Sequence, residues 1–249
     1  MEQRDIIRFS KREIENQKFW TRLGGMPDFK GKTVLDVGCG QGGLCVDMAL
    51  AGAEKVVGLD IEQRVIDFAI ENMEQNFPQI QSKTTFECID LVEYDTTISF
   101  DYIISKDSFE HIQNVPLMLK EMKKRLSPGG KIYIGFGPLY NSMNGSHMER
   151  FLIPWGHLFI PTSLYLKITE WDRRHPMESM ESFGLNRNSF KEYKKFFKES
   201  GLKTVYFKTN KSVNRIVRSF RYLAMIPLLS ELFTMNIYCI LEKPENSAE

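Results

Sequence analysis

Short runs of apolar residues alternate along this chain with longer segments in which apolar residues recur at three- and four-residue intervals. Runs of the first kind predict buried strands, and segments of the second kind predict helices that bury one face. The strands predicted in this way cover 32–37, 55–60, 84–89, 100–105, 131–137, 205–209 and 237–241. Helices are predicted over 42–50, 62–77, 114–126 and 189–201, with capping signals at Asn114 and at the Ser189/Glu192 pair.

Strands that alternate with helices predict parallel βαβ units and a doubly wound α/β sheet. In such a sheet ligands bind beyond the carboxyl ends of the strands, so the loops that follow the strands form the candidate site. The alternation is interrupted at 138–188, which we interpret as an α-helical cap inserted over the site. The predicted organisation is a helical segment at 1–30, a core at 31–137, the cap at 138–188, and a final helix and closing strands of the same core at 189–249.

A glycine-rich loop follows the first predicted strand. It reads DVGCGQGG from Asp36 to Gly43 and contains the pattern G-x-G-x-x-G, and Asp60 ends the second strand 20 residues after Gly40. Glycines permit a tight turn and a close approach of the backbone to a ligand, and a carboxylate at the second position suits ribose hydroxyls. The pattern fits both nicotinamide dinucleotides and S-adenosylmethionine. Asp36 favours the second, because a carboxylate there would repel a pyrophosphate and attract an ammonium or sulfonium group.

The motifs VLDVGCGQGG, VVGLDI, CIDL, FDYIISKDSFEHI and LSPGGKIYI, in this order over about residues 30–137, resemble the class I S-adenosylmethionine-dependent methyltransferases. The resemblance implies a Rossmann-like, mostly parallel sheet of seven strands with the last strand antiparallel. It also implies S-adenosylmethionine as the cofactor, with the glycines beside its methionine part, Asp60 on its ribose and Asp90 on its adenine amino group. Ile89 and Leu91 would pack near the adenine ring, and the backbone of Lys106 would lie beside the methionine part. The candidate cofactor-binding residues are Asp36, Gly38, Cys39, Gly40, Gly42, Asp60, Ile61, Asp90, Leu91 and Lys106.

A segment directly after the fourth strand is a candidate for chemistry on the methyl acceptor. Asp107, Glu110 and His111 have the spacing D-x-x-E-H, which resembles the E-x-x-E-H of some metal-assisted O-methyltransferases. Carboxylates and an imidazole suit a divalent cation, but aspartate reaches less far than glutamate, so we expect no metal. His111 is a candidate base or acceptor-orienting residue. The alternative is that Glu110 and His111 only form hydrogen bonds with the nearby backbone.

The cap supplies a second group of candidates. Its first half is rich in aromatic residues and follows the fifth strand, where it can fold over a bound ligand. Aromatic side chains with a few polar groups form typical apolar pockets. We therefore expect Tyr140 and Trp155 to contact the acceptor and His147 and His157 to be candidate catalytic residues. The alternative is that these side chains only pack the cap.

The balance of charge excludes a globally basic nucleic-acid binder, since 33 basic and 32 acidic residues give a net charge of +1. The charge is unevenly spread, at +3 over 1–32, −8 over 33–186, +9 over 187–221 and −3 over 222–249. The acidic part contains the cofactor motifs and suits a cationic ligand. The basic part is interpreted as a solvated face, although the apolar segment 222–233 that follows it leaves contact with a membrane surface or an anionic substrate open.

These features predict an enzyme that transfers a methyl group to a small-molecule acceptor, by preference a hydroxyl oxygen, through in-line displacement under the aromatic cap. One alternative is a nucleic-acid methyltransferase, for which the basic segment 187–221 would supply phosphate contacts. A nucleic-acid partner is not expected, because the aromatic residues of helix 189–201 share one face and so predict core packing. A second alternative is a non-catalytic binding subunit with the same fold. An NAD-dependent dehydrogenase is disfavoured by Asp36.

The remaining patterns concern location and partners. No apolar run of signal-peptide length begins the sequence, and the four cysteines form no C-x-x-C pair, which together predict a cytoplasmic protein with reduced thiols. The most apolar stretch, 222–241, is interrupted by Pro227, Glu231 and Asn236. We interpret it as a buried helix followed by a buried strand and not as a membrane span. A homodimer is left open.

Overall fold

A computed structural model of the chain describes residues 2–146, 153–170, 184–211 and 215–245. Seven strands form one sheet: β1 (Thr33–Val37), β2 (Lys55–Asp60), β3 (Thr84–Cys88), β4 (Phe100–Lys106), β5 (Leu126–Phe136), β6 (Lys203–Thr209) and β7 (Ile237–Glu242). Their order across the sheet is β3-β2-β1-β4-β5-β7-β6. The first five strands are parallel, and β7 is antiparallel to both of its neighbours. The predicted doubly wound sheet is confirmed, and its strand order reverses between β1 and β4.

The helices lie on the two faces of this sheet and in the cap. They are α1 (Gln3–Ser10), α2 (Arg12–Leu23), α3 (Gly43–Leu50), α4 (Gln63–Asn76), α5 (Val115–Arg125), α6 (Gly156–Phe159), α7 (Thr162–Glu170), α8 (Phe190–Glu199), α9 (Arg215–Leu223) and α10 (Ser230–Phe233), with a 3-10 helix over Pro78–Lys83. The predicted caps are confirmed. The Asn114 side chain accepts a hydrogen bond from the N–H of Leu117, and Ser189 and Glu192 form a capping box.

Apolar residues line both faces of the sheet, which is why its strands read as continuous apolar runs. In β1, Val34 belongs to one core layer, whereas Leu35 and Val37 belong to the other. The first layer is completed by helices α2, α3 and α4, and the second by α5 and α8. In α8, Tyr193 and Phe197 are 1% and 2% exposed. The expectation that the aromatic face of this helix is core is confirmed.

The largest boundary error concerns β5. Residues 127–130, between the predicted helix 114–126 and the predicted strand 131–137, are part of this strand, because β5 begins directly where α5 ends and Leu126 already pairs with Phe100 of β4. Beyond it the register shifts until Lys131 pairs with Tyr102. Gly129, with a φ of +71°, accommodates this irregularity inside the strand. The strand pairing that includes 127–130 in β5 is a tertiary feature that local patterns do not show.

The segment after α9 contradicts its sequence interpretation as part of a buried helix. Helix α9 ends at Leu223, and α10 begins only at Ser230. Between them the apolar side chains of Met225 and Leu228 are 78% and 87% exposed. Pro227 prevents one helix from continuing through this stretch. Among the residues that the structure describes, no helix is long and apolar enough to cross a membrane.

Candidate functional site

The glycine-rich loop lies at the carboxyl end of β1 and is shaped by hydrogen bonds to β2. The N–H groups of Gly38 and Cys39 both donate to the carbonyl of Leu59, at 2.8 and 3.0 Å. Gly42, with a φ of +74°, ends the loop, and its carbonyl accepts from Val46 in the first turn of α3. Positive φ angles at Gly38, Gly40 and Gly42 are the conformational reason for these glycines. The loop therefore turns tightly from strand to helix at the switch point of the sheet.

Two glycines of the loop differ in what surrounds them. A Cβ atom at Gly38 would lie 2.2 Å from Ser108 Oγ, so this glycine is required by close packing against the loop after β4. A Cβ atom at Gly40 would meet no atom within 4 Å. The α-carbon of Gly40 therefore faces open space in front of the loop, where a ligand can approach the backbone.

Asp60, at the end of β2, ties this loop to the next strand. Its Oδ2 accepts a hydrogen bond from the N–H of Gly40 at 2.8 Å, and its Oδ1 accepts from the N–H of Glu62 at 3.0 Å. Each carboxylate oxygen has more than one acceptor site, so the side chain retains capacity for hydroxyl donors. Asp60 thus holds the loop in shape and also presents a carboxylate beside it.

Asp36 is the most unusual acidic residue of the site, since it is only 1% exposed. Its Oδ2 is paired with the thiol of Cys45 at 3.5 Å, which is a weak donor, and its Oδ1 has no hydrogen-bond partner among the described residues. Burial raises the pKa of Asp36 to about 7, against the opposing effects of the Cys45 hydrogen bond and the charge of Lys106. A buried carboxyl with one unsatisfied oxygen is a site for a cationic or hydrogen-donating group.

Lys106, at the end of β4, is hydrogen-bonded to the second N-terminal helix. Its Nζ donates to Oδ1 of Asn16 in α2 at 3.0 Å, and Asn16 Nδ2 donates to Oδ2 of Asp47 at 2.8 Å. Asn16 is 4% exposed. No sequence motif marked Asn16, although a buried amide on an otherwise apolar helix face is the signal that could have found it.

Helix α1 also reaches the glycine loop, which the sequence analysis missed. Asp5, 2% exposed, accepts a hydrogen bond from Gln41 Nε2 at 2.8 Å and a second from Arg64 of α4. Burial would raise the pKa of Asp5, but the hydrogen bonds and positive charge of Arg64, together with the Gln41 hydrogen bond, lower it below its usual value. The first helix is therefore fastened over the loop by an ionised carboxylate.

Two apolar candidate cofactor-binding residues, Ile61 and Leu91, differ in exposure. Ile61, directly after Asp60, is 76% exposed and offers an apolar surface beside the loop. Leu91 is 1% exposed and packs in the core, and its place near the adenine ring stays a prediction. Asp90 is half-buried, and its Oδ1 accepts from the N–H of Val92 at 2.8 Å. This turn holds the Asp90 carboxylate at the end of β3.

The loop after β4 places Glu110 and His111 in different surroundings. Glu110 is 5% exposed, its Oε1 accepts from the N–H of Gly137 at 3.4 Å, and its Oε2 has no partner among the described residues. Burial, reinforced by the charge of Asp107, raises the pKa of Glu110 to about 8. His111 is exposed and lies near Gly184. In the described parts of the chain, no three His, Cys, Asp or Glu side chains come together in a way that could bind a metal ion.

The cap residues are explained largely by their own packing. His157 is 8% exposed, one ring nitrogen, Nε2, lies 2.6 Å from the carbonyl of Tyr140, and Nδ1 has no partner among the described residues. Burial lowers the pKa of His157, which favours the neutral form of the ring. Trp155 donates its indole N–H to the carbonyl of Leu232 at 3.0 Å and stacks on Phe220. His147 lies outside the described residues, so its predicted role stays a prediction.

Comparison with known proteins places this site in a family. A sequence model of a family described as a methyltransferase domain matches residues 28–140, which include the glycine loop, Asp60, Asp90 and Glu110. Residues 28–140 form a methyltransferase domain. The resemblance inferred from the motifs is confirmed, and class I domains of this kind use S-adenosylmethionine as methyl donor.

The methyltransferase domain has curated relatives with different acceptors. A phosphoethanolamine N-methyltransferase of Caenorhabditis elegans is 31% identical over 139 residues, which are 55% of this chain and 30% of that protein. One from Arabidopsis thaliana is 39% identical over 112 residues, 44% of this chain and 22% of that protein. The chain thus spans less than a third of the length of these relatives. A ubiquinone biosynthesis O-methyltransferase of Coxiella burnetii is 28% identical over 170 residues, 65% of this chain and 70% of that protein.

Solved structures show that the fold extends beyond the domain match. An S-adenosylmethionine-dependent methyltransferase from Mesorhizobium loti superposes with a TM-score of 0.61 at 18% identity, covering 92% of this chain and all of that one. Magnesium protoporphyrin IX methyltransferase from Synechocystis, with bound S-adenosylhomocysteine, gives 0.57 at 17% identity, covering 97% of this chain and 86% of that one. At these identities the likeness shows the fold alone. The methyltransferase domain and its C-terminal strands therefore form one class I methyltransferase fold.

Proposed function

We propose that this chain transfers a methyl group from S-adenosylmethionine to a hydroxyl oxygen of a small molecule. One observation carries the cofactor half of the proposal: the buried carboxylate of Asp36, with an unsatisfied oxygen, lies at the base of a glycine loop whose outer side at Gly40 is open. A cationic ligand satisfies the first feature, and a ligand in contact with the backbone explains the second.

The residues present fit this cofactor in its separate parts. Asp36 would face the ammonium group of the methionine part, and the carboxylate of Asp60 would accept the ribose hydroxyls while it keeps its bond to Gly40. Ile61 offers the exposed apolar surface that an adenine ring requires, and Asp90 would accept from its amino group. Lys106 would border the methionine part through its backbone, since its side chain is committed to Asn16.

S-adenosylmethionine supplies an electrophilic methyl group, so the work of the protein is to align the acceptor and to receive a proton. Glu110 is suited to the second task. Its carboxyl lies between the ends of β4 and β5, one oxygen is unpaired, and its pKa of about 8 is close to neutral pH. A proton acceptor works best when its pKa is near the working pH. His111 and His157 remain candidates for orienting the acceptor, and Tyr140 for contacting it.

The preference for oxygen rests on how far the relatives match. The N-methyltransferase of Caenorhabditis elegans covers 55% of this chain, whereas the O-methyltransferase of Coxiella burnetii covers 65% of this chain and 70% of its own length. The O-methyltransferase match therefore extends over a larger share of both chains.

Two experiments test the cofactor assignment and the acceptor assignment separately. Calorimetry with S-adenosylhomocysteine should show binding to the wild type and at least 30-fold weaker binding to Asp60→Ala, because hydrogen bonds to a charged group are worth about 1.5–3 kcal/mol each. An unchanged affinity of Asp60→Ala for S-adenosylhomocysteine would refute the cofactor assignment. Transfer of a tritiated methyl group should then be measured with a catechol and with phosphoethanolamine as acceptors. Label on phosphoethanolamine alone would refute the hydroxyl preference and leave the cofactor assignment standing.

A further inference from the structure

The surface formed by α9 and the turn after it carries two groups of exposed side chains. Arg215, Arg218 and Arg221 lie three residues apart on α9 and are all exposed. We call these the arginine face. Residues from the end of α9 to the following turn expose large apolar side chains, and we call them the apolar tip. The apolar tip consists of Tyr222 (60% exposed), Leu223 (37%), Met225 (78%), Ile226 (47%) and Leu228 (87%).

The apolar tip is an ordered part of the fold. The N–H of Ala224 donates to Phe220 at 2.8 Å, and the N–H groups of Leu229 and Ser230 both donate to Ile226, at 2.9 and 3.0 Å. Phe220 is 8% exposed and points to the other side of α9 from the arginine face. It stacks on Trp155 of the cap and makes an edge contact with Phe233 of α10. The exposed apolar residues are therefore held outward by a packed base.

An apolar patch of this kind marks an interaction site. Single exposed apolar residues are normal on soluble proteins, but five within seven positions form a contiguous patch that water disfavours. Elsewhere in the described chain, exposed large apolar residues such as Ile14, Met26 and Phe159 occur singly, apart from the adjacent pair Ile6 and Ile7. We therefore infer that the apolar tip contacts a binding partner.

The charge next to the apolar tip indicates which partner. From Ser200 to Ser230 the sequence contains six Lys or Arg residues and no Asp or Glu. None of the three arginines of the arginine face forms an ion pair with a described carboxylate. Glu231, the next acidic residue, is committed to the N–H groups of Phe190 and Lys191 at the start of α8, at 2.8 and 3.0 Å. A partner surface that complements the arginine face and the apolar tip is therefore anionic at its surface and apolar inside.

We propose that the arginine face and the apolar tip dock this protein on the surface of an anionic phospholipid bilayer. A basic, amphipathic helix with apolar residues at its end lies in the interface, with its cations at the headgroups and its apolar side chains among the acyl chains. A protruding tip with residues as exposed as Leu228 suits insertion into lipid better than a groove-type protein contact. The packed base on Trp155 means that such docking would place the cap, and with it the acceptor side of the site, next to the membrane.

The inference is tested without cofactor or acceptor, so its outcome is independent of methyl transfer. The full chain is sedimented with vesicles of phosphatidylcholine alone and with vesicles that contain 30% phosphatidylglycerol. We expect partition onto the anionic vesicles, weakened at high salt because the charges are screened. Absence of binding to the anionic vesicles at low salt would overturn the proposal and assign the apolar tip to a protein partner. Equal binding to both compositions would overturn the role of the arginine face.

Matched variants separate docking from general adsorption. Arg218→Gln/Arg221→Gln should weaken anionic-vesicle binding on the order of 20-fold, since each basic residue near the surface contributes roughly fivefold. The control Lys120→Gln/Lys124→Gln makes the same change of charge at two exposed positions of α5 and should have little effect. If the control weakens binding as much, net charge alone drives adsorption and the proposal fails.

The apolar contribution has its own pair of variants. Met225→Ser/Leu228→Ser should weaken binding by at least tenfold, because burying one such side chain is worth about 1.5–3 kcal/mol. Ile14→Ser/Met26→Ser removes two other exposed apolar side chains and should leave vesicle binding unchanged. All changed residues are exposed, so thermal unfolding should match the wild type and confirm that the fold is intact. Wild-type binding by Met225→Ser/Leu228→Ser would overturn insertion of the apolar tip.

Discussion

The buried carboxyl of Asp36 predicts that cofactor affinity depends on pH. Its pKa is raised to about 7 by burial, and only its ionised form can pair with the ammonium of the methionine part. Binding must therefore be accompanied by loss of the Asp36 proton at any pH below 7. The apparent dissociation constant is the intrinsic one divided by the ionised fraction. Relative to pH 8, affinity should fall about tenfold at pH 6 and about a hundredfold at pH 5.

The assay is calorimetry with S-adenosylhomocysteine from pH 5 to pH 8, in buffers of two different ionisation enthalpies, so that proton release is measured together with affinity. The control is Asp36→Asn, which keeps the shape of the side chain and removes the titration. This variant should bind more weakly at pH 8 and show no dependence on pH over this range. A flat profile in the wild type would refute the reasoning. So would an equal slope in Asp36→Asn, because the titrating group would then be elsewhere on the protein or on the ligand.

Three further predictions follow from the site. Glu110 has a folded-state pKa of about 8 against an ordinary value of 4.5, so it stabilises the fold at low pH, and this contribution is lost as pH rises from about 5 to 8. In denaturant unfolding, Glu110→Gln should therefore reduce the fall of the unfolding free energy with pH by about 1 kcal/mol per pH unit over this range. An unchanged dependence of the unfolding free energy on pH would contradict this prediction. Gly40→Ala should weaken cofactor binding while the unfolding free energy falls by only about 1 kcal/mol, because the new Cβ atom meets open space. The control is Gly31→Ala, which has a similar positive φ and equally open surroundings and should lose stability alone. Asp5→Asn removes the charge that pairs with Arg64 over the glycine loop, so S-adenosylhomocysteine should dissociate several-fold faster in stopped-flow measurements. A dissociation rate equal to that of the wild type would show that α1 does not contribute to cofactor binding.

Much of the fold was predictable because its elements are local. Buried parallel strands are short apolar runs, and amphipathic helices have a fixed period, so both are visible without knowledge of their partners. The glycine loop and Asp60 were predictable for a related reason. Their conformations and spacing are imposed by one strand–turn–helix unit, within which Gly40 and Asp60 form their hydrogen bond.

Side-chain environments were harder to predict because they depend on contacts between distant parts of the chain. The core packing of Leu91 is not visible in its local sequence. Asn16 and Asp5 were missed although they form hydrogen bonds with Lys106 of β4 and Gln41 of the glycine loop. The histidines illustrate the same limit. His157 was singled out by residue type, and only the structure shows that its imidazole lies against the backbone of Tyr140.

The sequence by itself therefore determined the α/β class, the cofactor loop and the acidic residues at the strand ends, since each depends on residues close together in the chain. Tertiary structure decided which of those carboxyls are buried, because burial is contributed by helices and strands from elsewhere. It raised the pKa values of Asp36 and Glu110 in this way. It also left the large apolar side chains of 222–228 exposed where hydrophobicity alone predicted a buried helix. A pattern records that a residue is apolar, but only packing decides whether the protein covers it.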